Sequence, residues 1–360
     1  MIRIFFALLL SLIVLDFSAQ AQIEESKFTK KTVLEHTPVI SQGNTGTCWS
    51  FATTSFIESE IMRKGFPQTD LSEMFFVYHA YQNKSKSYLL YQGNNNFSQG
   101  GQAHDVINVL RDEGMVTDEA FPGVKTDGKF RHNHLARDLF LEVEKFNKIT
   151  DNFHLEFIKK TTSLLREHLG KLPKKVKTAE GKYTPQAFRD KFDIHPDDYV
   201  ELTSFNHHPF YKPFVLEIPD NWAHGLYYNV PIDELVQVMT YALDNGHTVC
   251  WDGDTSEKSF RHEDGIADIP DNQKRKIDQE SRQETFFDRT TTDDHLMHIV
   301  GLYEDAQGKP AFFTKNSWGA ESNKIGGYLI LTYSYVRLKT IAIMVHKEAI
   351  PPMIRQKLKI

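Results

Sequence analysis

The apolar residues of this chain change their period along its length. From Cys48 to about Lys64, and again from about Ala103 to Glu113, they recur at helical spacing, with Val106, Ile107 and Leu110 on one face of the second run. Gly65 stands where a left-handed C-terminal cap is expected, and Gly114 closes the second helix. Residues 131–170 keep the helical period and predict two helices, near His134–Lys148 and Asn152–Leu169. The last third is different. After a helix over Ile232–Leu243, the runs Thr248–Trp251, Leu296–Tyr303, Ala311–Lys315, Gly327–Leu331 and Ile341–His346 read as strands. Helices early and antiparallel strands late predict an α+β protein with a two-lobed core. There is no internal repeat.

Composition narrows the function classes. With 40% hydrophobic and 25% charged residues, the 360-residue chain can bury a core, and 26 Phe and 14 Tyr make that core aromatic. The formal net charge of -6 argues against a general grip on nucleic acid or anionic membrane. The basic stretch Gly170–Lys182 reads as a solvated loop, because no aromatic residue interleaves with its lysines.

Residues 1–21 read as a signal peptide: Arg3, a mainly apolar run from Ile4 to Leu15, then Ala19-Gln20-Ala21 as an A-x-A cleavage pattern. The run is short for a membrane span, so the mature protein is expected to be exported, periplasmic or extracellular, without stable membrane insertion. Export usually means an oxidising compartment, where paired cysteines are common. Only Cys48 and Cys250 exist, and both are expected to be free.

That expectation comes from Ser41-Gln42-Gly43-Asn44-Thr45-Gly46-Thr47-Cys48-Trp49-Ser50-Phe51. A glycine-punctuated loop delivers Cys48 to a helix N-terminus, where the helix dipole and free amides favour a thiolate. The side-chain NH2 of Gln42 and the Cys48 amide can form an oxyanion hole. A thiol nucleophile needs a base, and the base needs an orienting partner. Asp293-Asp294-His295-Leu296-Met297-His298-Ile299-Val300-Gly301 and Lys315-Asn316-Ser317-Trp318-Gly319 supply them: His295 as base, Asn316 as the acceptor that orients it, Trp318 as a cover over their bond. Strand alternation puts His298 on the opposite face from His295. Cys250, mid-strand between Val249 and Trp251, reads as an inert core thiol. His207 and His208 lack a third ligand at metal-binding spacing. No metal or organic cofactor is called for.

The three segments around Cys48, His295 and Asn316, in this order, resemble the papain family of cysteine peptidases; the resemblance extends over residues 41–58, 70–78, 98–116 and 293–331. It implies a papain-like two-lobed fold, a helical lobe plus an antiparallel barrel-like lobe. Spacing to Gly301 fits His295 to the family's catalytic histidine, and Leu71-Ser72-Glu73 fits a turn before a helix. Gly100-Gly101 fits a glycine pair whose backbone meets the substrate, with Trp318 beside it. Thr45 stands where the family usually has a disulfide cysteine. Its presence, a long segment 130–230 and Val230-Pro231-Ile232-Asp233-Glu234-Leu235 resemble the bleomycin hydrolase and aminopeptidase C branch. That branch implies a peptide or protein substrate, aminopeptidase action gated by the chain's own C-terminus, and a homo-oligomer. The tail Ile350–Ile360 is shorter than is typical there.

The expected organisation is a signal peptide at 1–21, a helical lobe with the nucleophile at 22–129 and a mainly helical insertion at 130–230. A β-rich lobe with His295 and Asn316 follows at 231–348, then a tail at 349–360. The expected activity is peptide-bond hydrolysis through a thioester. Internal cleavage on the same fold, and a binding protein that has lost catalysis, are the alternatives.

Overall fold

The computed structural model describes residues 27–146, 153–270 and 277–360; the signal-peptide reading of 1–21 lies outside them. Five helices build the first lobe: α1 (Cys48–Arg63), α2 (Glu73–Leu90), α3 (Ala103–Asp112), α4 (Asn133–Phe146) and α5 (Phe153–Leu169). Their ends follow local chemistry. Ser72 caps α2 by accepting from the Phe75 amide at 3.0 Å, and Asp105 returns a bond to the Gln102 amide at the start of α3. Gly65 and Gly114 follow α1 and α3 at φ 85°, in the left-handed region glycine tolerates. Helix α1 is buried continuously from Cys48 to Ile61, so it is a core helix with apolar or packed residues all round. Phe56, Ile57, Phe75, Phe76, Val106 and Leu110 join α1–α3 in one apolar cluster.

The strands are β1 (Phe28–Val33), β2 (Val176–Thr178), β3 (Gly181–Tyr183), β4 (Tyr199–Thr203), β5 (Pro213–Val215), β6 (Leu226–Asn229), β7 (Val249–Gly253), β8 (Phe260–Arg261), β9 (Ile266–Ala267), β10 (His295–Asp305), β11 (Pro310–Lys315), β12 (Tyr328–Leu331) and β13 (Thr340–His346). One sheet runs β5-β6-β4-β13-β7-β10-β11-β12-β9-β8, with β1 also paired to β10. Its pairs are antiparallel except β4–β6 and β9–β12. Helices α6 (Pro185–Lys191), α7 (Ile232–Asp244), α8 (Gln279–Phe287), α9 (Tyr333–Lys339) and α10 (Pro352–Leu358) complete the chain. A second apolar cluster joins α7 to the sheet through Leu235, Val238, Trp251, Met297, Phe312 and Val345. The chain is α+β with a helical and a β-rich lobe. No described helix is long and apolar enough to cross a membrane.

Two local expectations change. The Gly170–Lys182 stretch is not all loop: Val176–Thr178 and Gly181–Tyr183 pair as a two-stranded hairpin. The 130–230 segment carries helices only as far as Lys191, apart from a 3-10 turn at Pro196–Asp198. Its end supplies β4, β5 and β6, and β4 pairs with β13 in the main sheet. The loop between β5 and β6 is therefore held at both ends by the β lobe.

Candidate active site

The loop before α1 is fixed at several points. Gly43 takes φ 64°, and a Cβ there would lie 2.7 Å from the Phe130 carbonyl oxygen, so only glycine fits. The Gln42 amide donates to the Ser317 carbonyl at 2.8 Å, and Ser41 bridges to Trp318. The Gln42 side chain is oriented on both sides: Oε1 accepts from Ser317 Oγ at 2.6 Å, and Nε2 donates to the Thr45 carbonyl at 2.7 Å. One Nε2 hydrogen remains for another acceptor.

Cys48 is the first residue of α1, where amides have no acceptor within the helix. It is free and 8% exposed. Burial pushes its thiol up to about 12; the Leu296 amide opposes this, and the charges of Asp252, Asp293 and Asp220 reinforce it. Desolvation and these acids oppose the thiolate that the helix start favours.

His295 opens β10, paired with Gly253 of β7. Its Nε2 lies 2.7 Å from Asn316 Oδ1. The Ser317 amide donates to the same Oδ1 at 2.7 Å, which identifies that atom as the oxygen. His295 therefore carries its proton on Nε2 and keeps the Nδ1 lone pair as a base. Burial pulls the imidazole down to about 4, against the bond to Asn316. Trp318 lies over it with ring centroids 5.0 Å apart and is itself 39% exposed. A residue absent from the sequence reading completes the row: Asn316 Nδ2 lies 3.3 Å from His262 Nδ1, and His262 Nε2 lies 2.9 Å from Ser322 Oγ. His298 is elsewhere, its Nδ1 accepting from Ser55 Oγ of α1 at 2.9 Å.

The glycine pair divides. Gly100 is committed internally: its amide donates to Ser98 Oγ at 3.1 Å and its carbonyl accepts from Lys84 Nζ. Both backbone groups of Gly100 thus already have internal partners. Gly101 has no hydrogen bond among the described residues, and its missing side chain leaves room for Asp105 and Trp49. Against Gly100 lies Asp220, from the loop between β5 and β6; a Cβ on Gly100 would fall 1.8 Å from Asp220 Oδ2. Asp220 Oδ1 accepts from Asn96 Nδ2 and Ser98 Oγ, each at 2.8 Å. Asn95 and Asn96 stitch the same loops together through the Trp222 and Pro219 carbonyls.

The remaining candidates lie apart. Cys250 faces Thr53 Oγ1 at 3.5 Å in the helical-lobe core, and burial raises its thiol strongly. His207 and His208 do have a third partner, which spacing could not show: Glu217 meets them at 3.1 and 2.7 Å. The three side chains could together ligate a metal ion. The tail forms α10, docked by Ile354 and Leu358 on the β-lobe cluster, with Lys357 2.6 Å from Glu234.

A thiol, a base held in one tautomer and amides left over at a helix start can carry acyl transfer through a thioester, the chemistry of cysteine peptidases. The papain family of cysteine proteases is matched over residues 24–178, and the Peptidase C1-like family over residues 172–359, just over half of the chain. The chain belongs to the Peptidase C1-like family and is a papain-type cysteine peptidase. Aminopeptidase G of Lactobacillus delbrueckii subsp. lactis is 24% identical over 366 residues, spanning 86% of this chain and 81% of that protein. Cathepsin J of Rattus norvegicus is 34% identical over 98 residues, 27% of this chain and 26% of that one. The crystal structure of PepW from Lactobacillus rhamnosis shares the fold, with a TM-score of 0.74 at 20% identity, over 92% of this chain and 84% of that one.

Proposed function

We propose that this peptidase is an aminopeptidase in which Cys48 is the nucleophile. His295 Nδ1 takes the thiol proton as sulfur attacks the scissile carbonyl carbon, forming the S–C bond. Gln42 Nε2 and the Cys48 amide hold the oxyanion. His295 returns the proton to the leaving amine as the C–N bond breaks. Water, deprotonated by the same imidazole, then hydrolyses the thioester. Asn316 orients His295, and Trp318 keeps water from their bond.

The observation that carries the aminopeptidase reading is Asp220 lying on Gly100. If Gly100-Gly101 corresponds to the family's substrate-contacting pair, as the resemblance implies, the loop between β5 and β6 lies where a longer substrate would extend. The likeness to aminopeptidase G supports the same reading. Mass spectrometry of a peptide-library digest tests it. Stepwise loss of N-terminal residues is expected; cuts inside N-terminally acetylated peptides at a comparable rate would make the enzyme an endopeptidase.

The proposal includes export, on the Arg3-to-Ala21 pattern. N-terminal sequencing of the mature chain should begin at Gln22; an intact Met1 in the secreted or periplasmic fraction would refute cleavage there.

A further inference from the structure

Three carboxylates reach the nucleophile from separate parts of the chain. Asp293 stands two residues before His295, Asp252 sits on β7 opposite Leu296, and Asp220 comes from the loop between β5 and β6. All three bear on the charge of Cys48, and Asp220 is the strongest charge acting on Asp293.

Their surroundings are built rather than merely acidic. Asp293 Oδ2 accepts from Gln102 Nε2 at 3.0 Å, and Tyr227 OH donates to Gln102 Oε1 at 3.2 Å. Asp220 is held by Asn96 and Ser98. Asp252 is different. It is 3% exposed, burial holds its carboxyl well above the usual carboxylate range, and its polar partner among the described residues is the Asp293 carboxyl, with which it shares a proton. It shares the strand face of Cys250, which touches Thr53 of α1, so it points toward the helical lobe and the cleft. Trp251 between them packs the other way, into the β-lobe cluster.

The cations nearby are spoken for. Lys84 Nζ donates to the Ser98 and Gly100 carbonyls, and His104 is paired with Glu201 at 2.7 Å. Two buried carboxyls that share one proton are both ionised only beside a cation, and a multiple donor carrying positive charge can take that proton's place.

We propose that Asp220, Asp252 and Asp293 form the receptor for the free α-ammonium of a peptide's first residue. The inference rests on the aminopeptidase reading and gives it a chemical cause. The α-nitrogen is separated from the scissile carbonyl carbon only by Cα, so a receptor beside Cys48 is where that group arrives. An ammonium offers three donors and a charge, whereas an internal peptide N–H offers one donor and none. The gate is thus an insertion carboxylate with two sheet-lobe partners, not the chain's own C-terminus.

The test compares four substrates with the full-length enzyme: leucyl aminocoumarin amide, its N-acetyl form, its des-amino isostere, and an N-acetyl-lysyl-leucyl form. Wild type should prefer the free amine. If it prefers the acetylated peptides, the aminopeptidase reading itself fails. If the preference holds, Asp293→Asn, Asp252→Asn and Asp220→Asn each decide the receptor. Each should lower kcat/KM for the free amine at least about tenfold relative to the des-amino isostere, mostly through KM. Equal losses on both would mean a structural role only and would overturn the proposal. So would unchanged free-amine kinetics in all three variants. Loss confined to the lysyl substrate would assign the site to a side-chain cation instead. Melting temperature and stoichiometric labelling of Cys48 identify any variant that fails to fold; for that one, Asp→Glu replaces Asp→Asn in the same comparison.

Discussion

His262 holds the far side of Asn316: Asn316 Nδ2 donates to His262 Nδ1 at 3.3 Å, while Asn316 Oδ1 accepts from His295. The amide that orients the base is itself oriented. Ser322 continues the row, accepting from His262 and donating to the Gly319 carbonyl at 2.6 Å. Asn316→Ala should lower kcat roughly tenfold to a thousandfold without abolishing it, because orientation contributes less than the nucleophile. His262→Phe keeps the ring packing against Trp318 and loses only the acceptor. It should lower kcat by a smaller factor, about threefold to tenfold, with KM unchanged. A KM effect with kcat intact would show that His262 touches substrate rather than positioning Asn316.

Cys48→Ala should abolish turnover with the melting temperature nearly preserved, since it gives up one bond, from the Leu296 amide to the sulfur. Cys250→Ala should keep most activity and lose about 1 kcal/mol of stability, the cost of a small buried hydrophobe. Steady-state kinetics and thermal melts on the two variants check this. Full turnover by the Cys48→Ala protein would remove it from the mechanism.

The two strand histidines should separate cleanly. His295→Ala should lower kcat/KM by about a hundredfold to ten-thousandfold as a lost general base. His298→Ala should mainly destabilise, by roughly 1–3 kcal/mol, because it leaves the Ser55 hydroxyl in the core without its acceptor. The assignment fails if His298→Ala is the variant that loses turnover while its melting temperature stays put.

Removing residues 357–360 should not release endopeptidase activity. Leu358 is 5% exposed and packs on the β lobe, and Lys357 pairs with Glu234 there. The expected effect is a stability loss of about 1.5–3 kcal/mol from the exposed leucine site, with the free-amine preference intact. Cleavage of acetylated peptides by the truncated enzyme alone would restore the tail as the gate.

The pH profile should be narrow. Burial, then the charge of Asp220, pushes Asp293 up to about 7. If its ionised form receives the ammonium, kcat/KM for free-amine substrates rises as pH increases through that value. It falls again as the substrate's own α-amino group loses its proton near about 8. Asp293→Asn should erase the acid limb and leave the alkaline one. An acid limb that persists in that variant would assign it to another group.

Much of the site was legible because its members lie in contiguous segments. Gln42 and Cys48 share one loop, His295 starts a strand, and Asn316 and Trp318 share one turn, so three short segments carry the resemblance that names them. The long helices and β10–β13 were legible from periodicity. What escaped was set by tertiary packing. Strands β4–β6 are short and separated by proline, histidine and glycine, so no alternation of useful length marks them. The β2–β3 hairpin is masked by lysines. Asp220 and His262 stand far from the motifs in sequence, and only the sheet register and the insertion loop bring them to Gly100 and Asn316. Asp252 and Asp293 were visible as residues, but nothing in their spacing says that β7 and β10 place them side by side.

If the chain is exported as proposed, the acids beside Cys48 bear on how its sulfur meets oxidants. Burial, reinforced by their charges, keeps the sulfur protonated, and oxidants attack the deprotonated form. On the proposal above, a peptide's ammonium cancels that field on arrival, so the substrate arms the very atom that will cut it. The idle enzyme is then sheltered and the working enzyme exposed: peroxide should inactivate it faster in the presence of a simple alkyl ammonium than without one. Equal rates would mean that the shelter comes from burial alone.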